Sequence, residues 1–224
     1  MRESIFTQDF LQAAKDYRLF LDMGYPEKAV ASLVGNKYRL SREQRMILYR
    51  GVLPSYESEK NAKKKISAKD INGKLIIDGY NVLLTIVNYL TGRTVFISTD
   101  SFVRDIGGIH GSIKKQDMLD RAEQLLCDFC RQHIQGEIVV FLDKPVSHSA
   151  ELAVRLDRLF SSYKIHAEAV LVDSADYELK RHEGVVATSD SVVLSSAACA
   201  ADLAAEILQE NFSPWFPDLR ECMS

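Results

Sequence analysis

Four apolar runs in the last two-thirds of the chain each stop at an aspartate, and that repetition narrows the folds open to it. The runs are Leu75-Ile76-Ile77-Asp78, Val139-Val140-Phe141-Leu142-Asp143, Ala169-Val170-Leu171-Val172-Asp173 and Val185-Val186-Ala187-Thr188-Ser189-Asp190. Short runs rich in Val and Ile, separated by helical patterns, read as buried strands of a parallel sheet. In an open parallel sheet the ligand crevice lies beyond the carboxyl ends of the strands. The sequence therefore places several carboxylates around one crevice. Clustered oxygen donors suit a hard divalent cation such as magnesium or manganese. That combination points to metal-dependent chemistry on a phosphate-bearing substrate.

The periodicities give the order of the remaining elements. Residues 1–57 read as an all-helical domain. Phe10, Leu11, Ala14, Tyr17 and Leu21 keep a helical period, and Gly24-Tyr25-Pro26 ends that helix. Gly35-Asn36 marks another stop, and Ser41-Arg42-Glu43-Gln44 is a capping box for a helix that Gly51 closes. Residues 58–73, with Lys60, Lys63, Lys64 and Lys65, read as a basic linker or a helical extension. From 74 to 224 an α/β domain is expected, with strands at 75–78, 94–98, 138–142, 167–172 and 185–189. Helices are expected at 82–90, 116–133, 150–162, 175–182 and 197–211, with a Gly-rich segment at 99–111. Such alternation predicts a three-layer α/β/α sandwich with a mostly parallel sheet, preceded by the small helical domain.

Composition sets wider bounds. A net charge of −3 favours no class of partner by itself, so only local patches matter. No apolar stretch is long enough to span a bilayer, and the start shows an amphipathic pattern instead of a signal peptide. A cytoplasmic protein without a membrane partner is expected, and a homo-oligomer is compatible with the sequence. Cys127 and Cys130 have C-x-x-C spacing but lie inside a helical pattern, and no second pair completes a zinc site. They read as buried helix thiols.

The strand ends carry the candidate chemistry. In Asp78-Gly79-Tyr80-Asn81, the acid can bind a cation, Gly79 permits a sharp turn, and the Asn81 amide can hold Asp78 or a metal-bound water. The same residues also fit a turn with Asp78 as a helix N-cap. Asp176 falls in the first turn of a helix after the strand that ends at Asp173; there it either faces the crevice or merely complements the helix dipole. Thr188-Ser189-Asp190-Ser191 gathers hydroxyls and a carboxylate at a buried strand end, where a plain turn is the simpler alternative. Asp143 is followed by Lys144-Pro145, which also fits a turn. In the Gly-rich segment, Arg104, His110, Lys114 and Lys115 either face phosphates or decorate a surface loop, and no P-loop pattern is present. Lys37, Arg39, Arg42, Arg45 and Arg50, interleaved with Tyr38 and Tyr49, suit single-stranded nucleic acid or a solvated helix face.

Taken together and in order, Asp78-Gly79-Tyr80-Asn81-Val82, Ala175-Asp176 and Ala187-Thr188-Ser189-Asp190 resemble the NYN branch of the PIN-like nucleases. The resemblance covers roughly residues 74–211. It implies a PIN-like α/β/α sandwich whose acids bind Mg2+ or Mn2+ for hydrolysis of RNA phosphodiesters. By the same resemblance Asp78, Asp176 and Asp190 are metal-binding acids, Asn81 is the family's conserved asparagine, and Asp143 matches a less constant strand-end acid. Gly24-Tyr25-Pro26 and the stretch from Leu33 to Leu40 are similar to a helical domain of unknown function that accompanies PIN-like domains in archaeal and some bacterial proteins. The segment 94–111 departs from the core family pattern and bears on substrate access. The expected activity is a metal-dependent ribonuclease with Thr188, Ser189, Arg104, His110, Lys114 and Lys115 as substrate contacts. The alternative is a PIN-like module that holds RNA or protein without cutting it. An aspartate-nucleophile phosphatase fits less well, because its second acid would stand where Tyr80 does.

Overall fold

Hydroxyl caps set where two of the first helices begin. In the computed structural model, which describes residues 5–107 and 116–223, Thr7 accepts from the backbone N–H of Phe10 at 3.2 Å and opens α1 (Gln8–Asp22). Pro26, with φ near −61°, leads into α2 (Glu27–Lys37). The expected capping box opens α3 (Arg42–Gly51): Ser41 Oγ accepts from Gln44 N, and Gln44 Oε1 accepts from Ser41 N. A fourth helix, α4 (Ser55–Ala62), occupies the start of the stretch expected as linker. The rest of that stretch holds β1 (Lys65–Ile66) and a 3-10 turn at Ala68–Asp70, so it is structured throughout its first half.

The chain divides into two units, and the division is not a single cut. The first unit comprises Met1–Lys63, Arg93–Gly108 and Trp215–Ser224. Its core joins Phe10, Tyr17, Ile47 and Leu48 of the helices to Phe96 and Leu219 from the two returning segments. The segment expected as one strand and a Gly-rich loop contains an antiparallel hairpin of β3 (Val95–Ile97) and β4 (Val103–Asp105). Buried Asp100 builds its turn, accepting from Ser98 Oγ and from Phe102 N, and pairing with Arg104 at 2.7 Å. The tail closes the unit by exchanging backbone hydrogen bonds with β3, Ile97 N to Pro217 O and Leu219 N to Ile97 O.

The second unit, Lys64–Gly92 with Ile109–Pro214, is the α/β body. Its strands β2 (Leu75–Asp78), β5 (Ile138–Asp143), β6 (Ala167–Val172), β7 (Val185–Ala187) and β8 (Ala200–Ala201) join β1 in one sheet, ordered β1-β8-β7-β2-β5-β6. All pairings in it are parallel. One helical layer contains α5 (Gly79–Leu90), α6 (Gln116–His133), α7 (Ser149–Tyr163) and α10 (Leu203–Phe212), with α5 packed on both α6 and α10. The other face carries the short α8 (Ala175–Leu179) and α9 (Ser191–Ser196), whose Ala175, Leu179 and Val193 pack on Ile76, Val139, Phe141 and Val186. The result is an α/β/α sandwich, as the alternation of patterns requires. The connection after β2 runs toward β5 and the one after β7 runs toward β8, so the sheet has its topological switch point between β2 and β7. At the open edge of β6, Asp157 Oδ1 accepts from Ala169 N at 2.8 Å and occupies an otherwise unpaired strand donor.

Candidate active site

The switch point is where the acids gather. In register, Ile77 stands beside Ala187, so Thr188 emerges next to Asp78 at the carboxyl ends of β2 and β7. Gly79 permits the tight exit into α5. A Cβ there would meet Leu142 Cδ2 at 2.6 Å, Val140 Cγ1 at 2.8 Å and the Phe141 carbonyl at 2.9 Å. Asp78 is buried and caps α5, its Oδ1 accepting from Asn81 N at 3.2 Å. Thr188 Oγ1 donates to Asp78 Oδ2 at 2.9 Å and accepts from Asp190 N at 3.1 Å, which ties the two acid-bearing loops together. The Asn81 side chain does not reach Asp78, one of the two partners expected for it. Its Oδ1 accepts from both the N–H and the hydroxyl of Ser189, at 2.9 and 3.1 Å.

The other acids surround this pair. Asp190 caps α9, its Oδ1 accepting from Val192 N at 2.8 Å and from Val193 N at 3.3 Å. Asp143 ends β5 and accepts from Ala175 N at 2.8 Å. That bond joins the end of β5 to the start of α8, which carries exposed Asp176. Ser174 caps α8, its Oγ accepting from Tyr177 N at 3.3 Å. Burial pushes the Asp78 carboxyl up to about 7, the charges of Asp176 and Asp190 push the same way, and the bonds from Thr188 and Asn81 oppose it. The Asp176 carboxyl is raised by desolvation, then by Asp190 and Asp143, against Lys180. So Asp78, Asp143, Asp176 and Asp190 share one electrostatic neighbourhood at the carboxyl edge.

Tyr80 belongs to the same neighbourhood and was treated in the sequence only as a spacer. Its hydroxyl is raised by burial and by the Asp143 charge, with Arg155 opposing. The available signal was its place between Asp78 and Asn81. Arg155 itself holds buried Glu123 with bonds of 2.7 and 3.3 Å, bridging α7 and α6.

The proposed substrate contacts fall differently. Thr188 and Ser189 are at the site but buried, where Thr188 braces Asp78 and Ser189 holds the Asn81 amide. Arg104 lies in the first unit, 3% exposed, bound to Asp100 and to the Arg50 carbonyl. It is a structural cation of the hairpin. His110, Lys114 and Lys115 lie outside the described residues. Of the basic set in the first unit, Lys37 pairs with Asp16, Arg45 caps the carbonyls of Gly35 and Leu40, and Arg50 bonds the Asp105 carbonyl. The C-x-x-C thiols of Cys127 and Cys130 are buried in α6, as expected, and burial raises both.

The fold and site define an α/β protein with a cluster of acids at a sheet switch point. Residues 68–206 match the family described as Domain of unknown function (DUF5616), and residues 9–64 match Protein of unknown function (DUF434). The chain belongs to the DUF5616 family. Over 201 residues it is 33% identical to an uncharacterized protein of Methanocaldococcus jannaschii, covering 88% of this chain and 96% of that one. No solved structure gives a significant match. No helix among the described residues is long and apolar enough to cross a membrane.

Proposed function

We propose that the chain is a metal-dependent ribonuclease that hydrolyses phosphodiester bonds at the Asp78 crevice. One observation carries the reading. Asp78 is buried at the switch point and tied through the Thr188 hydroxyl to the loop that carries Asp190, and burial, helped by the charges of Asp176 and Asp190, pushes its carboxyl up to about 7. Crowded acids of this kind gain from a cation between them, and their oxygen-only chemistry suits Mg2+ or Mn2+. Among the described residues, no donor reaches Asp190 Oδ2, Asp143 Oδ2 or either oxygen of Asp176, so these atoms remain open for coordination. Asp143, Asp176 and Asp190 offer the open oxygens that an ion would draw together, since among the described residues they do not stand as a ready metal-holding group, and such an ion would lower the pKa of water and offset charge on the phosphate. The chain's own part is positional. Thr188 fixes the Asp78 carboxylate relative to Asp190, and Asn81 locks the Ser189 backbone so that the loop keeps its acids on the crevice. The order of these motifs resembles that of NYN nucleases.

A second reading, a module that binds RNA or protein without cleaving it, is favoured by one fact. Among the described residues no three His, Cys, Asp or Glu side chains form a ready metal-holding group. Asp190→Asn separates the two. The amide keeps the cap of α9, since Asn caps as well as Asp, while one anionic ligand is lost. With Mn2+ or Mg2+, wild type should cleave single-stranded RNA and the variant should not. Mn2+ should also raise the melting temperature of wild type more than that of the variant. Binding without cleavage in both proteins, with equal metal-induced shifts, would establish the second reading.

A further inference from the structure

A pocket of about 660 Å3 on the same sheet edge is left without a role by the acid crevice. Lys144, Leu171, Val172, Asp173, Tyr177 and Glu178 line it, all in the second unit. Lys144 directly follows Asp143 and Tyr177 directly follows Asp176, so the pocket adjoins the crevice. Leu171 and Val172, the last residues of β6, give it an apolar wall. Tyr177 is 56% exposed, so its ring is accessible from solvent. Its ring is nonetheless fixed: Arg181 Nη1 donates to the hydroxyl at 2.6 Å, and the guanidinium sits 5.0 Å from the ring centroid. A ring covered by a cation on one face offers the other to a planar partner.

The charges around this ring say what that partner presents. Two carboxylates, Asp173 and Glu178, stand against one ammonium, Lys144. That balance disfavours a phosphate and favours a group rich in N–H donors with an acceptor beside them. Glu178 lies 3.6 Å from His182 Nδ1. Among the described residues neither Lys144 Nζ nor the Asp173 carboxylate has a partner, and Ser174 relieves Asp173 of any capping role.

We propose that this pocket takes a guanine base of single-stranded RNA next to the phosphate being cleaved. The base stacks on Tyr177, Asp173 accepts from N1–H and N2–H, and Lys144 donates to O6. Guanine alone among the four bases sets two adjacent N–H donors beside a carbonyl on one edge. Unstacked bases held on aromatic rings and read along that edge are the common mode of single-strand RNA recognition. The inference rests on the nuclease reading, which it deepens to a base preference.

The test is fluorescence anisotropy with the full chain in Ca2+, using labelled uridine nonamers that carry one central G, A or C, or none. The G-containing RNA should bind about tenfold more tightly than the others, and Tyr177→Ala should remove about tenfold of that affinity. Asp173→Asn should abolish the preference, bringing the G-containing RNA to the same affinity as the all-uridine one. Both side chains are exposed, and unchanged melting temperatures would verify folding. Equal affinity for all four RNAs, or a preference untouched by both substitutions, overturns the pocket. If Asp190→Asn abolishes cleavage while no base preference exists, the pocket fails and the nuclease reading stands. A guanine preference in a protein that cuts no RNA with any cation sustains the pocket and overturns the nuclease reading. No RNA binding at all overturns both.

Discussion

Asp78 receives two hydrogen bonds that favour its charged form, from Asn81 N–H and the Thr188 hydroxyl, yet its pKa is pushed up to about 7. Desolvation outweighs them, helped by the charges of Asp176 and Asp190. The native protein therefore binds this proton more tightly than the unfolded chain, where aspartate titrates near 3.9. The resulting stabilisation is full below about pH 4 and lost as the pH rises through about 7; for such a shift it is on the order of 4 kcal/mol. The raised Asp176 adds the same sign. Without divalent cation, the urea midpoint of wild type should fall from pH 5 to pH 8. Asp78→Asn should flatten that fall and be the more stable protein at pH 8. Parallel curves would show that Asp78 ionises like an aspartate in water. The acids themselves were legible in the sequence because each ends an apolar run. Their braces were not: Thr188 and Asp78 are 110 residues apart, and local patterns carry no information about a bond of that span.

Single elements show the same limit differently. The strands β2, β5, β6 and β7 stand where the apolar runs put them; the central β2 and β5 are covered on both faces and need continuous hydrophobic residues, whereas the edge strand β6 is only partly buried. The helix expected at 197–211 is only α10, and α9 was not expected. Residues 197–205 are mostly alanine, which reads as helix, but Ala200-Ala201 form β8 between β7 and β1. A two-residue strand is set by its neighbours, not by its own composition. The β2–α5 junction allows a direct test. Gly79→Ala gains about 1 kcal/mol of helix propensity. Its Cβ, however, would stand 2.9 Å from the Phe141 carbonyl and 2.6–2.8 Å from two side chains of β5. The side chains can yield, but the carbonyl belongs to a paired strand, so overpacking should prevail by about 1–3 kcal/mol. Chemical denaturation should show that loss, and on the ribonuclease reading cleavage should fall with it, because Asp78 and Asn81 lie on either side of the displaced residue. A variant as stable as wild type would mean α5 can lift off β5 at no cost.

At the scale of the molecule, the order of elements along the chain does not reveal which pieces fold together. Sequence patterns placed boundaries at 57 and 74, and the DUF434 match ends at 64. The first unit nevertheless recruits Arg93–Gly108 and Trp215–Ser224 from far along the chain. The strand expected at 94–98 is β3, but its partner β4 and the pairing of the tail are invisible to periodicity, because a buried turn acid, Asp100, and two backbone bonds to β3 hold them. Phe96 and Leu219, both fully buried, complete the core around Phe10, Ile47 and Leu48. Losing a buried Leu costs about 2–5 kcal/mol and a buried Phe about 3–5 kcal/mol. A domain near 60 residues is marginal to begin with, so a fragment of residues 1–63 cannot absorb both losses. Expressed alone, it should show helical circular dichroism but no cooperative thermal transition. In the full chain, Leu219→Ala should lower the stability of the first unit by about 2–5 kcal/mol. A sharp, reversible melt of the 1–63 fragment would instead make the helices a self-sufficient domain, with the hairpin and tail as dispensable cover.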